Sequence, residues 1–197
     1  HNKKGLMRIV KLSLIGLLLF LNSALAEVKM GVEGGLTYAD MRAEETAQSL
    51  ANASGSTVTY KYDEATWQGR IFADMEVTPE VHVEIGYFLT GSLDATYTIS
   101  GASATEGYNA MGIDLAAVIY RDDIFFKAGM HSSELEGNAK LTIGGTTYNV
   151  SETISGTGYL VGGGMQVDDS RFGLTYYADV GGDTDSDMVN IYYGLLF

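Results

Sequence analysis

Cysteine is absent from the sequence. The chain therefore forms no disulfide, offers no thiolate ligand to a metal and has no cysteine for lipid attachment. This composition fits a compartment in which the fold does not depend on disulfides.

Basic residues are also scarce. Lysine and arginine total 12 against 25 aspartates and glutamates, and the formal net charge is −13. A surface that binds nucleic acid must offer positive charge to the phosphates. The balance of charge therefore argues against nucleic acid as a partner.

Long apolar runs are missing beyond the N-terminal region. Leu12–Leu21 is apolar, follows four basic residues and precedes Ala24-Leu25-Ala26. This order is typical of a secretory signal peptide cleaved after Ala26. The alternative, a membrane anchor, would need about 20 apolar residues. We therefore expect a signal peptide over residues 1–26 and one domain over residues 27–197, and cleavage would change the net charge to −17 because it removes only basic residues.

Three short polar turns punctuate residues 27–197. They are Thr78-Pro79-Glu80, Arg121-Asp122-Asp123 and Asp168-Asp169-Ser170, and alternating sequence flanks each of them. Such segments are typical of tight hairpins. The stretches at about 41–65, 91–107, 133–156 and 181–187 are rich in small polar residues, and they indicate long loops at the opposite end. The pattern predicts eight strands that run up and down.

Each strand has one continuously apolar face. In the last strand Val189, Ile191, Tyr193, Leu195 and Phe197 fall at every second position, which places them on one side of the sheet. An apolar strand needs a partner on both edges, so we expect this strand to pair with the first, over 28–38. The predicted fold is all-β, an eight-stranded antiparallel up-and-down transmembrane β-barrel.

The alternative is a soluble lipocalin-like barrel, which would keep its apolar face inside. The opposite face here mixes charges of both signs with many glycines, which favours a crowded polar interior and an apolar outside. Aromatic residues also fall where two interfacial girdles are expected. These interfacial aromatics are Trp67 and Tyr159 near the long loops, and Phe126, Phe172 and Phe197 near the short turns.

The alternating last strand, the short turns and the signal peptide resemble the OmpA/OmpX-like and opacity-protein-like group of small outer-membrane barrels. The resemblance implies an outer-membrane location with both termini in the periplasm, and contact with membrane lipid and lipopolysaccharide. It also implies an assembly signal, read by the barrel-assembly machinery, at Ile191, Tyr193, Leu195 and Phe197.

An eight-stranded barrel has room inside for side chains only, and buried charges need partners. We therefore predict a polar network that plugs the lumen, with a narrow gated pore as the alternative. Its predicted members are Glu33, Arg70, Asp74, Glu76, Glu84, Asp114, Lys127 and Arg171.

Three motifs raise the question of chemistry. His82 and His131 are predicted near opposite ends of the barrel, too far apart to share a metal ion. His131 and Ser133, followed by Glu134 and Glu136, suggest a lipid A-modifying hydrolase, but the strand alternation turns His131 inward. The segment 183–187 resembles the start of a calcium loop, yet Met188 stands where glycine is required. We therefore predict no enzyme activity, no cofactor and no metal site.

Most of the remaining charge is acidic and lies in the long loops. Such loops are solvated, and they could share divalent cations with lipopolysaccharide. The resemblance to small outer-membrane barrels, together with the lack of a catalytic constellation, implies a structural or surface-interaction role, in adhesion or envelope integrity, with a host or envelope protein as partner.

Overall fold

The computed structural model describes residues 27–40, 42–99, 102–182 and 186–197. The predicted signal peptide lies outside these residues, as do Asp183, Thr184 and Asp185 of the candidate calcium loop. Among the described residues, no helix is long and apolar enough to cross a membrane.

Ten strands and one helix make up the described chain. The elements are β1 (Val28–Ala39), α1 (Ala43–Ser54), β2 (Thr59–Tyr62), β3 (Ala65–Thr78), β4 (Val81–Thr90), β5 (Leu93–Ile99), β6 (Ala102–Arg121), β7 (Ile124–Ile143), β8 (Thr146–Val167), β9 (Ser170–Tyr177), a 3-10 turn at Val180–Gly182, and β10 (Met188–Leu196).

Eight of the ten strands form a closed ring, in the order β1, β3, β4, β6, β7, β8, β9 and β10. All pairings are antiparallel, and β10 pairs with β1 in a register that sets Ile191 opposite Leu36. Two backbone hydrogen bonds between Met30 and Phe197, of 3.0 and 2.8 Å, extend this closure. The predicted eight-stranded antiparallel barrel is confirmed.

The three short turns are confirmed, and each joins neighbouring strands through two residues. Asp122 and Asp168 have positive φ angles of 55° and 53°, a conformation that Asp tolerates better than most residues. The single proline, Pro79, lies in the first of these turns, where its missing N–H breaks no ladder hydrogen bond. We call this end of the barrel the turn end and the other the loop end.

The barrel has apolar residues outside and polar residues inside. Outward side chains such as Ile71, Ile113 and Leu195 are exposed, whereas Arg70, Glu84 and Asp114 are at most 3 % exposed. Met75 is an exception: the alternation of β3 groups it with the outward residues Ile71 and Ala73, yet it is only 8 % exposed. A water-soluble barrel would have the reverse distribution. The lipocalin-like alternative therefore does not describe this fold.

The prediction of long irregular loops is wrong for most of the loop end. β6, β7 and β8 continue as 20- to 22-residue strands, and β7 and β8 remain paired as far as Ile143 and Thr146. β5 and β2 add to the outer edge of β6. We call this sheet, formed by β2, β5 and residues 102–110, 134–143 and 146–155, the extension.

The helix α1 packs on one face of the extension. Ala43 and Ala47, one turn apart, contact a cluster with Ala95 and Tyr97. Tyr97 donates a 2.5 Å hydrogen bond to Glu106, and burial together with this carboxylate raises the pKa of the Tyr97 hydroxyl. The helix ends at Gly55, whose φ of 64° suits glycine.

The seventh barrel strand is shorter than predicted. In the sequence, Ala178 and Val180 continue the alternation of Leu174 and Tyr176, which predicts an outward position for both, but β9 ends at Tyr177 and both residues are buried. The reason is the positive φ of 56° at Asp179, which ends the extended backbone and turns the chain over the mouth of the barrel.

Candidate functional site

The centre of the lumen is built around Arg70 on β3. Its guanidinium forms two hydrogen bonds with Asp114 on β6, from Nε to Oδ2 at 2.9 Å and from Nη2 to Oδ1 at 2.7 Å. It also reaches Glu33 on β1 at 3.2 Å and Glu84 on β4 at 3.1 Å. The planar guanidinium with five N–H donors suits this role, since it can satisfy several carboxylates at once.

A second arginine lies closer to the turn end. Arg171 on β9 has no exposed surface, and it pairs with Glu84, with Glu33 at 3.4 Å and with Asp74 at 3.4 Å. It also donates to Tyr120 and, at 3.2 Å, to Gln166. Both arginines therefore share the same two glutamates, Glu33 and Glu84, and the contacts of the two arginines join six strands.

Lys127 completes the cationic side of the lumen. Its Nζ lies 3.9 Å from Glu33 Oε2 and 4.8 Å from the centre of the Tyr192 ring. Aromatic rings also cover the arginines. The centre of the Phe72 ring lies 4.7 Å from Arg70 Cζ, and the centre of the Phe125 ring lies 4.6 Å from Arg171 Cζ. Aromatic faces attract cations, most strongly where water is excluded.

We call the three cations and the four carboxylates Glu33, Asp74, Glu84 and Asp114 the polar network. Desolvating so many charges is costly, and the cost is offset only when each has several partners. His82 contacts Asp74 through Nδ1 at 2.5 Å, so this carboxylate is also held on its turn-end side.

The structure brings together seven of the eight residues predicted for the lumen. Glu76 is the exception: it is half-buried near the turn, and none of the ion pairs among the described residues includes it. Phe72, Phe125 and Tyr120 were missed, although the alternation of β3, β6 and β7 places them on the lumen side. The prediction for the lumen face named only charged residues and left out the aromatic rings that pack against the charges.

An apolar layer lies between the polar network and the loop end. It consists of Phe88, Leu160, Tyr177, Val180 and Met188, each at most 4 % exposed. Phe88 is four residues further along β4 than Glu84, about 13 Å at 3.3 Å per residue. A charged layer and an apolar layer therefore follow one another along the lumen.

His131 and Ser133 both lie inside the barrel and are in contact. Nδ1 of His131 is 3.1 Å from Ser133 Oγ, and Nε2 is 2.8 Å from the backbone oxygen of Ala178. The Ser133 hydroxyl also accepts a 2.8 Å hydrogen bond from Gly181 N. The imidazole thus meets a carbonyl where a hydrolase triad has a carboxylate, and this pair ties the 3-10 turn to the wall.

The predicted interfacial aromatics all point outward. Trp67, Phe126, Tyr159, Phe172 and Phe197 are between 52 % and 73 % exposed. Ile191, Tyr193 and Leu195 are exposed on the same outer surface of β10. The assembly signal at these positions stays a prediction. Within the described residues, no cluster of three His, Asp or Glu side chains could hold a metal ion.

The extension has two unlike faces and one open edge. Leu141, Ile143, Tyr148 and Val150 share the face that continues the lumen side and are 40 % to 66 % exposed. The other face is polar, with Thr142 and Thr147 opposite each other. From Thr146 to Ser155, β8 has no strand partner other than β7 among the described residues.

The fold is that of the small outer-membrane β-barrels. Two structures of Ail, the attachment invasion locus protein of Yersinia pestis, match with a TM-score of 0.54 and cover 87 % of this chain and 99 % of that chain. Their identities to this chain are 10 % and 11 %, and one is in complex with the heparin analogue sucrose octasulfate. The outer membrane protein OprG from Pseudomonas aeruginosa matches with a TM-score of 0.46 and 8 % identity, over 87 % of this chain and 97 % of that chain. No family model and no curated protein sequence matches the chain.

Proposed function

We propose that the protein is an integral outer-membrane barrel that acts at the cell surface through the extension, with a closed lumen and no catalytic role. The inverted distribution of side chains supports the membrane placement, since exposed residues such as Ile113 and Phe126 would be costly in water and suit lipid. The turn end then faces the periplasm together with both termini, and the extension stands among the lipopolysaccharide.

Membrane placement is tested by fractionation and by migration on gels before and after heating. The folded barrel is expected in the outer-membrane fraction, with a shift in migration on boiling. Recovery from the soluble periplasm without such a shift would reject the proposal.

The observation that carries the surface role is the open edge of β8. Ten residues, Thr146–Ser155, expose backbone donors and acceptors without a proline or lysine to block them. Natural proteins usually protect such an edge, and an unprotected edge is suited to an added strand from another protein. A host or envelope protein that offers an extended segment is therefore the partner class we favour.

A matched pair of variants tests the edge. Thr147 and Ser151 on β8 lie opposite Thr142 and Asn138 on β7, on the same polar face. Thr147→Lys with Ser151→Lys charges the open edge, while Thr142→Lys with Asn138→Lys adds equal charge to the central strand. Cells displaying each variant are compared for binding to a panel of extracellular-matrix and envelope proteins.

Only the edge variant is expected to lose binding. Equal losses in both variants would indicate a general effect of charge, and the absence of any partner for the parent protein would reject the surface role.

Because the chain is acidic overall, we do not expect it to bind sulfated polysaccharides as Ail binds a heparin analogue. An unchanged lipid A mass profile in cells with and without the protein is expected for a non-enzymatic role.

A further inference from the structure

A cavity of about 340 Å³ opens at the loop end of the barrel. Its apolar walls come from Ala39, Leu93, Ala110, Leu135 and Ile154. Val180 and Met188 also line it, and both belong to the apolar layer that closes the lumen. The cavity is thus a blind pocket above a sealed floor, at the lower end of the size range of ligand sites.

A second hollow of about 180 Å³ lies on the lumen-side face of the extension. The two hollows share Tyr108, Leu135 and Ile154, so they form one continuous groove. Its far end is lined by Ala139 and Val150, which pair across β7 and β8. Leu135 and Ala139 are four residues apart on one strand, about 14 Å at 3.4 Å per residue.

Gly137 keeps the groove open between these points. A β-carbon there would lie 3.1 Å from the Tyr108 ring and fill the passage above it. Polar side chains such as Thr90, Asn109 and Asn138 also line the groove, but apolar residues follow one another along its length from Ala139 and Val150 through Leu135 and Ile154 to Met188. This elongated apolar row suits an alkyl chain better than a compact molecule.

The rim of the groove carries more negative than positive charge. Among its described lining residues, the side chains charged at neutral pH are Asp40, Asp187, Glu152 and Arg42. Asp187 accepts hydrogen bonds from Tyr176 at 2.5 Å and from the backbone of Asp179 at 3.1 Å, which fixes it at the mouth. Three carboxylates and one guanidinium leave an excess of negative charge, which attracts cations and repels carboxylates.

We propose that this groove binds a single-chain amphiphile, with the alkyl chain along Ala139–Leu135 and into the pocket above Met188, and a cationic head group at the rim. The site takes up such a molecule without passing it through the barrel, because the apolar layer closes the floor. This binding role goes beyond the surface interaction proposed above and does not depend on the edge of β8.

The test uses the full barrel in lipid nanodiscs, with isotope-labelled methyl groups at Ala39, Ala110 and Met188. Octylammonium, octanol and octanoate serve as probes with one chain length and three head groups. Saturable shifts at all three methyl groups are expected, with octylammonium binding at least about tenfold more tightly than octanoate. Linear shifts without saturation would mean partition into lipid and would overturn the site.

Two variants separate the pocket from the membrane. Ala110→Phe fills the pocket, while Ala128→Phe adds the same ring to the outer surface of β7. Octylammonium binding is expected to weaken at least about tenfold in the first and to stay unchanged in the second. If Ala110→Phe does not fold, Ile154→Trp blocks the groove from the extension and must give the same loss, and binding that survives the block would reject the proposal.

The head group is tested by Asp40→Asn with Asp187→Asn, which removes both charges and keeps one acceptor oxygen on each side chain. The preference for octylammonium over octanoate is expected to fall several-fold while octanol binding is retained. Equal binding of all three probes to the parent protein would overturn the assignment of a cationic head.

Discussion

At the scale of single residues, Arg70 is one of the two centres of the polar network. Its buried guanidinium forms four hydrogen bonds with Asp114, Glu33 and Glu84. Removing the cation leaves three carboxylates close together and under-compensated. A buried pair broken in this way typically costs about 3–5 kcal/mol.

We therefore expect Arg70→Met to lower the free energy of unfolding by roughly 3–5 kcal/mol, measured by urea titration of the barrel in lipid vesicles. Lys127→Met is the matched comparison and is expected to cost clearly less, since Lys127 approaches Glu33 only to 3.9 Å. Adding Asp114→Asn to Arg70→Met removes one of the carboxylate charges that lost its partner, and it is expected to recover part of the lost stability. A double variant whose cost equals the sum of its parts would contradict this coupling.

Gly86 provides a second test at this scale. A β-carbon on Gly86 would lie 2.5 Å from Arg70 Nε, whereas one on Gly34 would meet nothing within 4 Å. Gly86→Ala must therefore displace the guanidinium, at a cost of roughly 1–3 kcal/mol. Gly34→Ala is expected to be neutral or stabilising by about 0.5–1 kcal/mol, because glycine weakens a strand interior. Similar unfolding curves for both variants would show that the position of the guanidinium is not critical.

At the scale of secondary structure elements, the alternation of residues predicts the barrel well and the extension poorly. Outward residues such as Ile113 and inward ones such as Asp114 follow directly from period-two alternation, because a membrane barrel has a different solvent on each face. In the extension, threonine is the most frequent residue and apolar and polar residues alternate less regularly, so the contrast between the two faces fades. The available signal was Gly144-Gly145 between two β-rich segments, a pair typical of a tight hairpin turn.

In the lumen, too, the sequence predicts some features well and others poorly. The sequence indicates which charges share the inner face, because their side is fixed by parity. It does not indicate that Glu33 and Glu84 each serve two arginines, or that Glu76 stays apart, because these pairings depend on the stagger between strands and on side-chain rotamers. The Asp179 bend was equally hidden, since Ala178 and Val180 continue the alternation of β9 beyond its end.

The turn at Gly144 and Gly145 leads to a prediction about the β7–β8 hairpin of the extension. Gly144 and Gly145 have φ angles of 55° and 85°, so a β-branched residue at the second position is strained. Gly145→Val is expected to open the end of the β7–β8 hairpin, while Gly144→Asn is tolerated because asparagine adopts positive φ readily. Limited proteolysis should cut Gly145→Val near the turn and leave the barrel intact, and equal resistance of both variants would show that the hairpin does not depend on this turn.

At the scale of the whole molecule, the closed lumen that we propose has two seals, which act by different physical means. The polar network joins the strands of the turn-end half through ion pairs, and buried apolar side chains around Phe88 pack together at the next level. Salt and pH act on charges, whereas they have little direct effect on packed apolar side chains. Neither seal alone is therefore expected to control conduction.

This arrangement predicts the outcome of planar-bilayer recordings on the purified protein. The parent protein is expected to be silent, and so are Phe88→Ala and Arg171→Ala alone, because each leaves the other seal in place. Only the combination of both substitutions should allow brief openings of small conductance, provided that its folding is first verified by the gel shift on heating. Stable channels from the parent protein would replace the closed lumen by a narrow pore, and channels from Arg171→Ala alone would show that the apolar layer does not seal the barrel.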